Sequence, residues 1–531
     1  MKTILNTAIF LLISQLFLSC SDGEFGNNVR SSDSEEGSSA ASALSSIGLY
    51  GQTALSGSTV DFGTTQSDAC LSTITDSDRN IYCAGNTNGA IDSSEAADAT
   101  GDAFIMKMDK DGNLLWVTQL GSNKAAVLDS SSSDVCYSIT LDDDGNVYCA
   151  GETSSGLSET NGGGSDAFVA KLDTNGNIIW ISQLGGDTDD GVIVQNASGN
   201  EQCYGVKVDS DGNVYCAGNT SGALGEANAG ITDIFFTKLN SSGAVQWVKQ
   251  FGSATVNVGG KAVDASAQDS CYGLDIDSSG NLYCAGRTSG DFAEPISGVF
   301  GDADIIFAMV DSTGAPQWVA QLGTVTGSGD NSATDECYSI TVSNDGNHVY
   351  CVGHTAGTPG ETNAGGNDIV AVKLDGSGNL LWISQLGDVK EVLLSSDFSQ
   401  SESCAGAVGV SNNGTFVDVD SDGNLYATCA TAGGAVADTN GGGFGIDVFI
   451  FKMKEADGSV EWMTQLGSSI PGSNGHEIPF SLHVDNGVNL IVSGLLIHNS
   501  GGFMGGVDLG AAGSIYNPFL FRMGLDGSFS L

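Results

Sequence analysis

The sequence predicts an all-β fold, a seven-bladed β-propeller of four-stranded antiparallel blades, and three observations carry that reading. One block of text recurs around each of the six tryptophans, Trp116, Trp180, Trp247, Trp318, Trp382 and Trp462. Each copy holds four short runs of alternating, β-branched and aromatic residues, as in CYSITL, VYCAG, AFVAKL and IIWISQL. Glycine turns separate the runs, and the 531 residues hold 76 glycines against 6 prolines. A lone four-stranded sheet exposes an apolar face, which neighbours packed around an axis bury. A solenoid would need polar capping units, and neither end of the repeats shows one.

Residues 1–19 read as a lipoprotein signal peptide: Lys2, then an apolar stretch too short to span a membrane comfortably. The stretch closes on Leu-Phe-Leu-Ser-Cys, which resembles a bacterial lipobox. That resemblance implies cleavage before Cys20 and a lipid on Cys20. An ordinary secretory peptide is the alternative. Residues 20–46, rich in Ser, Gly and acids, bury too little to offset their chain entropy and read as a flexible tether. Residues 47–531 make the propeller, with blades at about 67–121, 134–185, 201–252, 269–323, 335–387, 402–467 and 476–531. The seventh is divergent: FSLHV, NLIVSGL, NPFLFRM and SFSL fill its strand slots without cysteine or tryptophan.

The charge balance is extreme, 17 Lys+Arg against 64 Asp+Glu, a net −47. Such a surface repels nucleic acid and anionic lipid and favours cations, basic partners and solubility.

The turns carry two signatures, D-x-x-G-N-x-Y-x-x-G and, later in each unit, D-x-x-G-N-x-x-W-x-x-Q-x-G. Through these the units resemble the SBBP β-propeller repeat family over residues 67–467, and weakly beyond. The second signature also resembles the docking repeat of quinoprotein propellers. The cofactor-binding and metal-binding residues of that class find no counterpart here, so no cofactor is expected. The five histidines, His348, His354, His476, His483 and His498, lie in no HExxH or nucleophile-elbow context. The chain is not expected to be an enzyme.

Twelve cysteines fall in pairs, Cys70/Cys83, Cys136/Cys149, Cys203/Cys216, Cys271/Cys284, Cys337/Cys351 and Cys404/Cys429. Pairing between neighbouring units would leave Cys70 and Cys429 facing a cysteine-free seventh unit; pairing within units leaves none over. Six local disulfides in an oxidising compartment are therefore expected. Zinc is the rival, with wide spacing and no accompanying histidine. A four-residue loop at 142–145 would set Leu141 against Asn146 and Cys149 against Ser138, a diagonal from Cys136 that needs twist or a bulge.

The D-x-D-G-N turns (Asp142/Asp144, Asp209/Asp211, Asp420/Asp422) invite a calcium reading, but offer two side chains where about six oxygens are needed. Asp closing the turn and Gly at positive φ suffice, and no metal site is expected. A basic residue recurs in the third strand (Lys107, Lys171, Lys238, Lys373, Lys452, Arg522), with Met309 in the fourth unit. The expected partner is the Asp opening that strand, Asp102, Asp166, Asp233, Asp368 or Asp447. Trp and Gln (Trp116/Gln119, Trp180/Gln183) are expected to fix neighbouring blades together.

The expected function is a binding or scaffold module, lipid-anchored in the bacterial outer membrane through Cys20 and facing periplasm or cell surface. A protein or glycan partner is expected, and no nucleic acid. The alternatives are a quinoprotein-like enzyme and a structural surface-coat lipoprotein. First and third turns share one end of the propeller; the long, varied links at 186–202, 253–270 and 388–403 share the other. Binding is expected on the long-loop end.

Overall fold

The computed structural model describes residues 68–528 apart from several loops, chiefly 92–100, 122–132, 186–198, 253–266, 293–302, 325–333, 388–401, 404–415, 432–445, 467–475 and 509–515. The signal segment, Cys20, the tether and Cys404 lie outside the described residues.

The fold is a seven-bladed β-propeller. In blade 2 the strands are Asp134–Leu141, Val147–Thr153, Asp166–Leu172 and Ile178–Leu184, paired antiparallel in chain order. Blades 1, 3, 4 and 5 repeat this order. Blade 6 splits its first strand into Glu402–Ser403 and Val417–Val419. In blade 7 the described residues give three paired strands, His476–Asp485, Asn489–Ile497 and Tyr516–Gly524. The expected fourth, SFSL, ends in 529–531, outside the described residues.

First strands contact one another around the axis, and the ring closes from blade 7 to blade 1. There Ser481 Oγ accepts the Thr73 N–H (3.1 Å) and hydrogen-bonds the Thr73 hydroxyl (2.9 Å). The core is distributed: each boundary between adjacent blades holds its own apolar cluster. Between blades 1 and 2, Tyr82, Ile105 and Leu120 pack on Ile139, Val147 and Phe168. Burying one such large side chain contributes about 1.5–3 kcal/mol.

The first turn spans one residue more than expected. Asp142 N–H donates to Asn146 O (3.1 Å), and Gly145 closes the turn at φ 79°. Leu141 therefore pairs with Val147, and Cys149 with Ile139 rather than Ser138. A bulge between Cys136 and Ser138 then restores Cys136 to the face of Cys149, because the extra residue, Tyr137, shifts the period-2 alternation by one. The bulge presses on the second strand: a Cβ on Gly151 would lie 1.7 Å from Val135 O, so only glycine fits.

Within that geometry disulfides join Cys70–Cys83, Cys136–Cys149, Cys203–Cys216, Cys271–Cys284 and Cys337–Cys351, with Cα separations of 5.8–6.2 Å. Cys429 is also disulfide-bonded. It pairs in register with Phe449 and follows Ala427, which occupies the slot of Cys149; Cys429 thus stands where the other blades place the bulge glycine.

Candidate axial binding cavity

Each blade carries a row of side chains running outward across its sheet. In blade 2, Thr140 pairs with Tyr148, Tyr148 with Lys171, and Lys171 with Trp180. The ammonium of Lys171 sits 4.9 Å over the Tyr148 ring, and Tyr148 packs edge-on to Trp180 at 6.1 Å. This corrects the expected lysine partner. Lys171 lies 3.5 Å from Asp142 of the first turn, as Lys107 lies 3.3 Å from Asp76. The Asp opening the third strand bonds the glutamine instead: Gln183 Nε2 donates to Asp166 Oδ2 (2.7 Å), and Gln119 Nε2 to Asp102 Oδ2 (2.6 Å). These bonds let Gln183 brace its own blade, while the tryptophan reaches the next one. Trp180 Nε1 donates to Ser241 O (3.1 Å) in the third turn of blade 3. The indole lies on Gly243, whose φ of 85° and missing Cβ make room for it; a Cβ would meet the ring at 2.8 Å.

The turn carboxylates are committed. Asp142 Oδ1 accepts from the Asn146 and Asp144 N–H groups (2.8 and 3.1 Å), and Oδ2 from Asn146 Nδ2 (2.8 Å) and the Tyr148 hydroxyl (2.9 Å). Burial raises its pKa, and these bonds with Lys171 outweigh burial and hold the carboxyl below the usual aspartate range. Burial and the same charge push the Tyr148 phenol well above the ordinary tyrosine value.

The bulges place Tyr137, Tyr204, Tyr272 and Tyr338 on the axis, each ring 5.2–5.7 Å from the next. Phe416 packs on the Tyr338 side, and Leu71 and Phe480 on the Tyr137 side. Below this aromatic belt the inner strands enclose a cavity of about 810 Å³. Tyr204 and Tyr272 line it, and residues 343–345 and 420–423 of the first turns stand at its rim. It therefore lies at the end of the first and third turns, opposite the end where the sequence placed binding. Most of the long links themselves fall outside the described residues.

The cavity wall is built from the inner end of the outward row. This slot, two residues before the first turn, holds Ile74, Thr140, Lys207, Asp275, Thr341, Asp418 and His483. All but Thr140 line the cavity. One ion pair and one imidazole–carboxylate contact join neighbouring blades there. Lys207 Nζ lies 2.9 Å from Asp275 Oδ1, while Val342 N–H donates to Asp275 Oδ2 (2.7 Å). Burial opposes the charge on Lys207, but Asp275 and, farther off, Asp418 outweigh it and raise the ammonium pKa. On another side His483 Nδ1 lies 3.0 Å from Asp418 Oδ2, which also accepts the Val484 N–H (2.8 Å). Burial raises the Asp418 pKa; the bonds from His483, Val484 and Val419 outweigh it and hold the carboxyl below its usual range. Lys207 keeps two N–H groups for a ligand, and Ser138, Ser339 and Ser343 add hydroxyls to the wall.

None of Lys207, Asp275, Asp418 or His483 was singled out as a site residue from the sequence. The signal that marks them is a contrast between copies: one slot changes sign while its neighbours repeat.

A beta-propeller repeat model, SBBP, matches residues 115–158, 179–226, 246–293 and 317–361. These are SBBP-type repeats. Each matched segment runs from the fourth strand of one blade past the end of the second strand of the next, so it spans a blade boundary and takes in the tryptophan. No curated protein matches the chain. Among solved structures the chain is similar to quinohemoprotein alcohol dehydrogenase from Comamonas testosteroni, at 12% identity and TM-score 0.38, covering 83% of this chain and 67% of that one. It is also similar to Penicillium chrysogenum alpha-L-arabinanase complexed with arabinobiose (12%, TM-score 0.34, 74% and 93% covered). A mutant of NanB sialidase from Streptococcus pneumoniae is similar at 13% and TM-score 0.36, with 88% and 71% covered. Nothing about the chemistry of this chain follows from likeness at that level.

Proposed function

We propose that the protein is an extracytoplasmic binding module, anchored by a lipid on Cys20, that receives a polar ligand group in its axial cavity. The observation that supports this most is the inner slot: a repeat that copies Tyr, Lys and Trp blade after blade carries a different side chain at the cavity wall in almost every blade. Recurrent residues hold a scaffold, and variation confined to an enclosed wall fits selection for a ligand. The aromatic rings, hydroxyls and paired charges suit a glycan or a polar side chain of a partner. The local disulfides fit an oxidising compartment, and the outer membrane is the proposed address.

The test is binding of wild type to arrays of oligosaccharides and of basic peptides, beside Lys207→Met and Asp418→Asn. A ligand kept by wild type and by Asp144→Asn, but lost by both cavity variants, is the expected result. Binding that ignores both cavity variants would remove the site from the axis. Cys20→Ala should leave the detergent phase; unchanged partition would remove the anchor. Quinone absorbance in purified protein would favour an enzyme over a binder.

A further inference from the structure

Asp166 opens the third strand of blade 2, and Glu201 opens the first strand of blade 3. Backbone pairing sets them side by side. Ser165 and Asn200 form a parallel bridge, and the Glu201 N–H donates to Ser165 O (2.9 Å). Both acids are buried, 0% and 2% exposed. Glu201 Oε2 has no hydrogen-bond partner among the described residues, and Gly185 sets it towards Asp166. A Cβ on Gly185 would lie 2.6 Å from Glu201 Oε2 and 2.8 Å from Asp166 Oδ1, so the two oxygens converge over this one glycine.

Two carboxylates brought this close out of water do not both stay ionised; a positive charge between them, or a proton on one, resolves the repulsion. Their other partners decide which acid is neutral. Asp166 accepts from Gln183 Nε2 (2.7 Å) and the Gly162 N–H (3.1 Å), which favour its anion. Glu201 Oε1 accepts the Thr220 hydroxyl (2.8 Å). Calcium would ask for six or more oxygens. This pair has four, three already accepting hydrogen bonds, and no group of three or more His, Cys, Asp or Glu able to hold a metal exists among the described residues. A proton needs one donor and one acceptor.

We propose that Asp166 and Glu201 form a proton-binding site, in which protonated Glu201 donates from Oε2 to Asp166 Oδ1 and clasps blade 2 to blade 3. Burial pushes the Glu201 carboxyl up to about 7; the Thr220 hydroxyl pulls against this and the Asp166 charge adds to it. Asp166 is the charged group facing Glu201, and Thr220 and Gln183 are neutral. The folded pKa is raised, so the clasp contributes fully below the ordinary glutamate range and is lost as pH rises through about 7. The boundary of blades 4 and 5 also sets two acids side by side, with both Asp335 oxygens accepting hydroxyls. There the Asp335 N–H donates to Ala303 O (2.9 Å), and burial pushes the Asp335 carboxyl up to about 6 beside Asp304, against the hydroxyls of Thr355 and Thr324.

Glu201→Gln puts an amide donor in place of the protonated oxygen at every pH. Thermal melts of wild type and E201Q between about pH 5 and about pH 9 should differ in slope. Wild type should lose stability through neutrality, while E201Q loses less and equals or exceeds it at the alkaline end. Infrared titration should find protonated-carboxyl absorbance in wild type that disappears near neutrality, and E201Q should lose the component that titrates at the higher pH while keeping that of Asp335. Parallel melting profiles, or no such band, would overturn the proposal. So would a wild-type melting point raised by calcium and lowered by EDTA when E201Q responds to neither. Should E201Q fail to fold, the infrared titration of Asp335→Asn decides, since the neutral-carboxyl component left near neutrality is then that of Glu201.

Discussion

One row of side chains contains both halves of this protein's logic. Its outer three members, Tyr148, Lys171 and Trp180 in blade 2, recur as Tyr215, Lys238 and Trp247 in blade 3 with the same contacts. Its inner member is Thr140 in one and Lys207 in the other. Tyr148 and Trp180 meet the next blade, which is itself a copy, so each finds the same kind of surface there, while Lys171 is held within its own blade. The inner member meets the axis, where seven blades converge on a single volume and identity would give a ring of like side chains. Seven aspartates or seven lysines there would repel, whereas a mixed set lets Lys207 pair with Asp275 and lets the His483 ring meet Asp418. Repetition suits contacts between neighbours, and difference suits a shared centre.

Breaking the outer row should cost the most. Trp462 is 6% exposed at the boundary of blades 6 and 7 and donates to Leu525 O. Trp462→Ala is expected to destabilise by about 3–5 kcal/mol, read as a shifted denaturation midpoint. Replacing Cys136 and Cys149 together by serine opens a short loop, and a loss of about 3 kcal/mol is expected, matched by reducing agent on wild type. Gly243→Ala strains a left-handed residue and pushes a methyl at Trp180; about 1–3 kcal/mol is expected, with indole fluorescence altered. Lys207→Met stands at the other end of the same row in blade 3. Its side chain is a third exposed and its partner keeps the Val342 N–H, so the stability change should stay within about 1 kcal/mol. A cost for Lys207→Met as large as that for Trp462→Ala would erase the distinction between scaffold and site.

Fold and five of the disulfide pairs were legible because both are written into the repeat: period-2 runs, glycine turns, and cysteines 13 or 14 residues apart. The register was misjudged by one residue because two backbone bonds, Asp142 to Asn146 and Gly145 to Asp142, close a longer turn than DDDG suggests. The lysine partner was misplaced for a related reason. Register puts Lys171 beside Tyr148, whose hydroxyl already points at Asp142, while Asp166 lies five residues away along the same strand. The cavity residues escaped because a motif search rewards sameness. Lys207, Asp275, Asp418 and His483 share a slot and no chemistry.

The closing boundary was also unreadable. Blade 7 brings no tryptophan, and Arg522, in the slot of the lysines, donates from Nη1 to Lys110 O (3.0 Å). Lys110 holds the turn position that Thr174 holds in blade 2, where its carbonyl accepts the Trp116 indole (3.0 Å). A guanidinium thus supplies the bond an indole makes elsewhere. Arg79, 2.8 Å from Asp485, ties the same boundary.

The bulge is also a port in the chain. A strand that already carries one unpaired residue can carry more, since the ladder resumes in the same register on either side. Blade 6 has this form: Ser403 pairs with Ala430 and Val417 with Ala427, and residues 404–416 intervene where other blades spend a bulge. A peptide spliced between Cys136 and Ser138 should leave both flanking ladders intact. Lineages of this repeat can therefore lengthen the chain beside the channel without redrawing a blade, and a protein engineer can use the same opening.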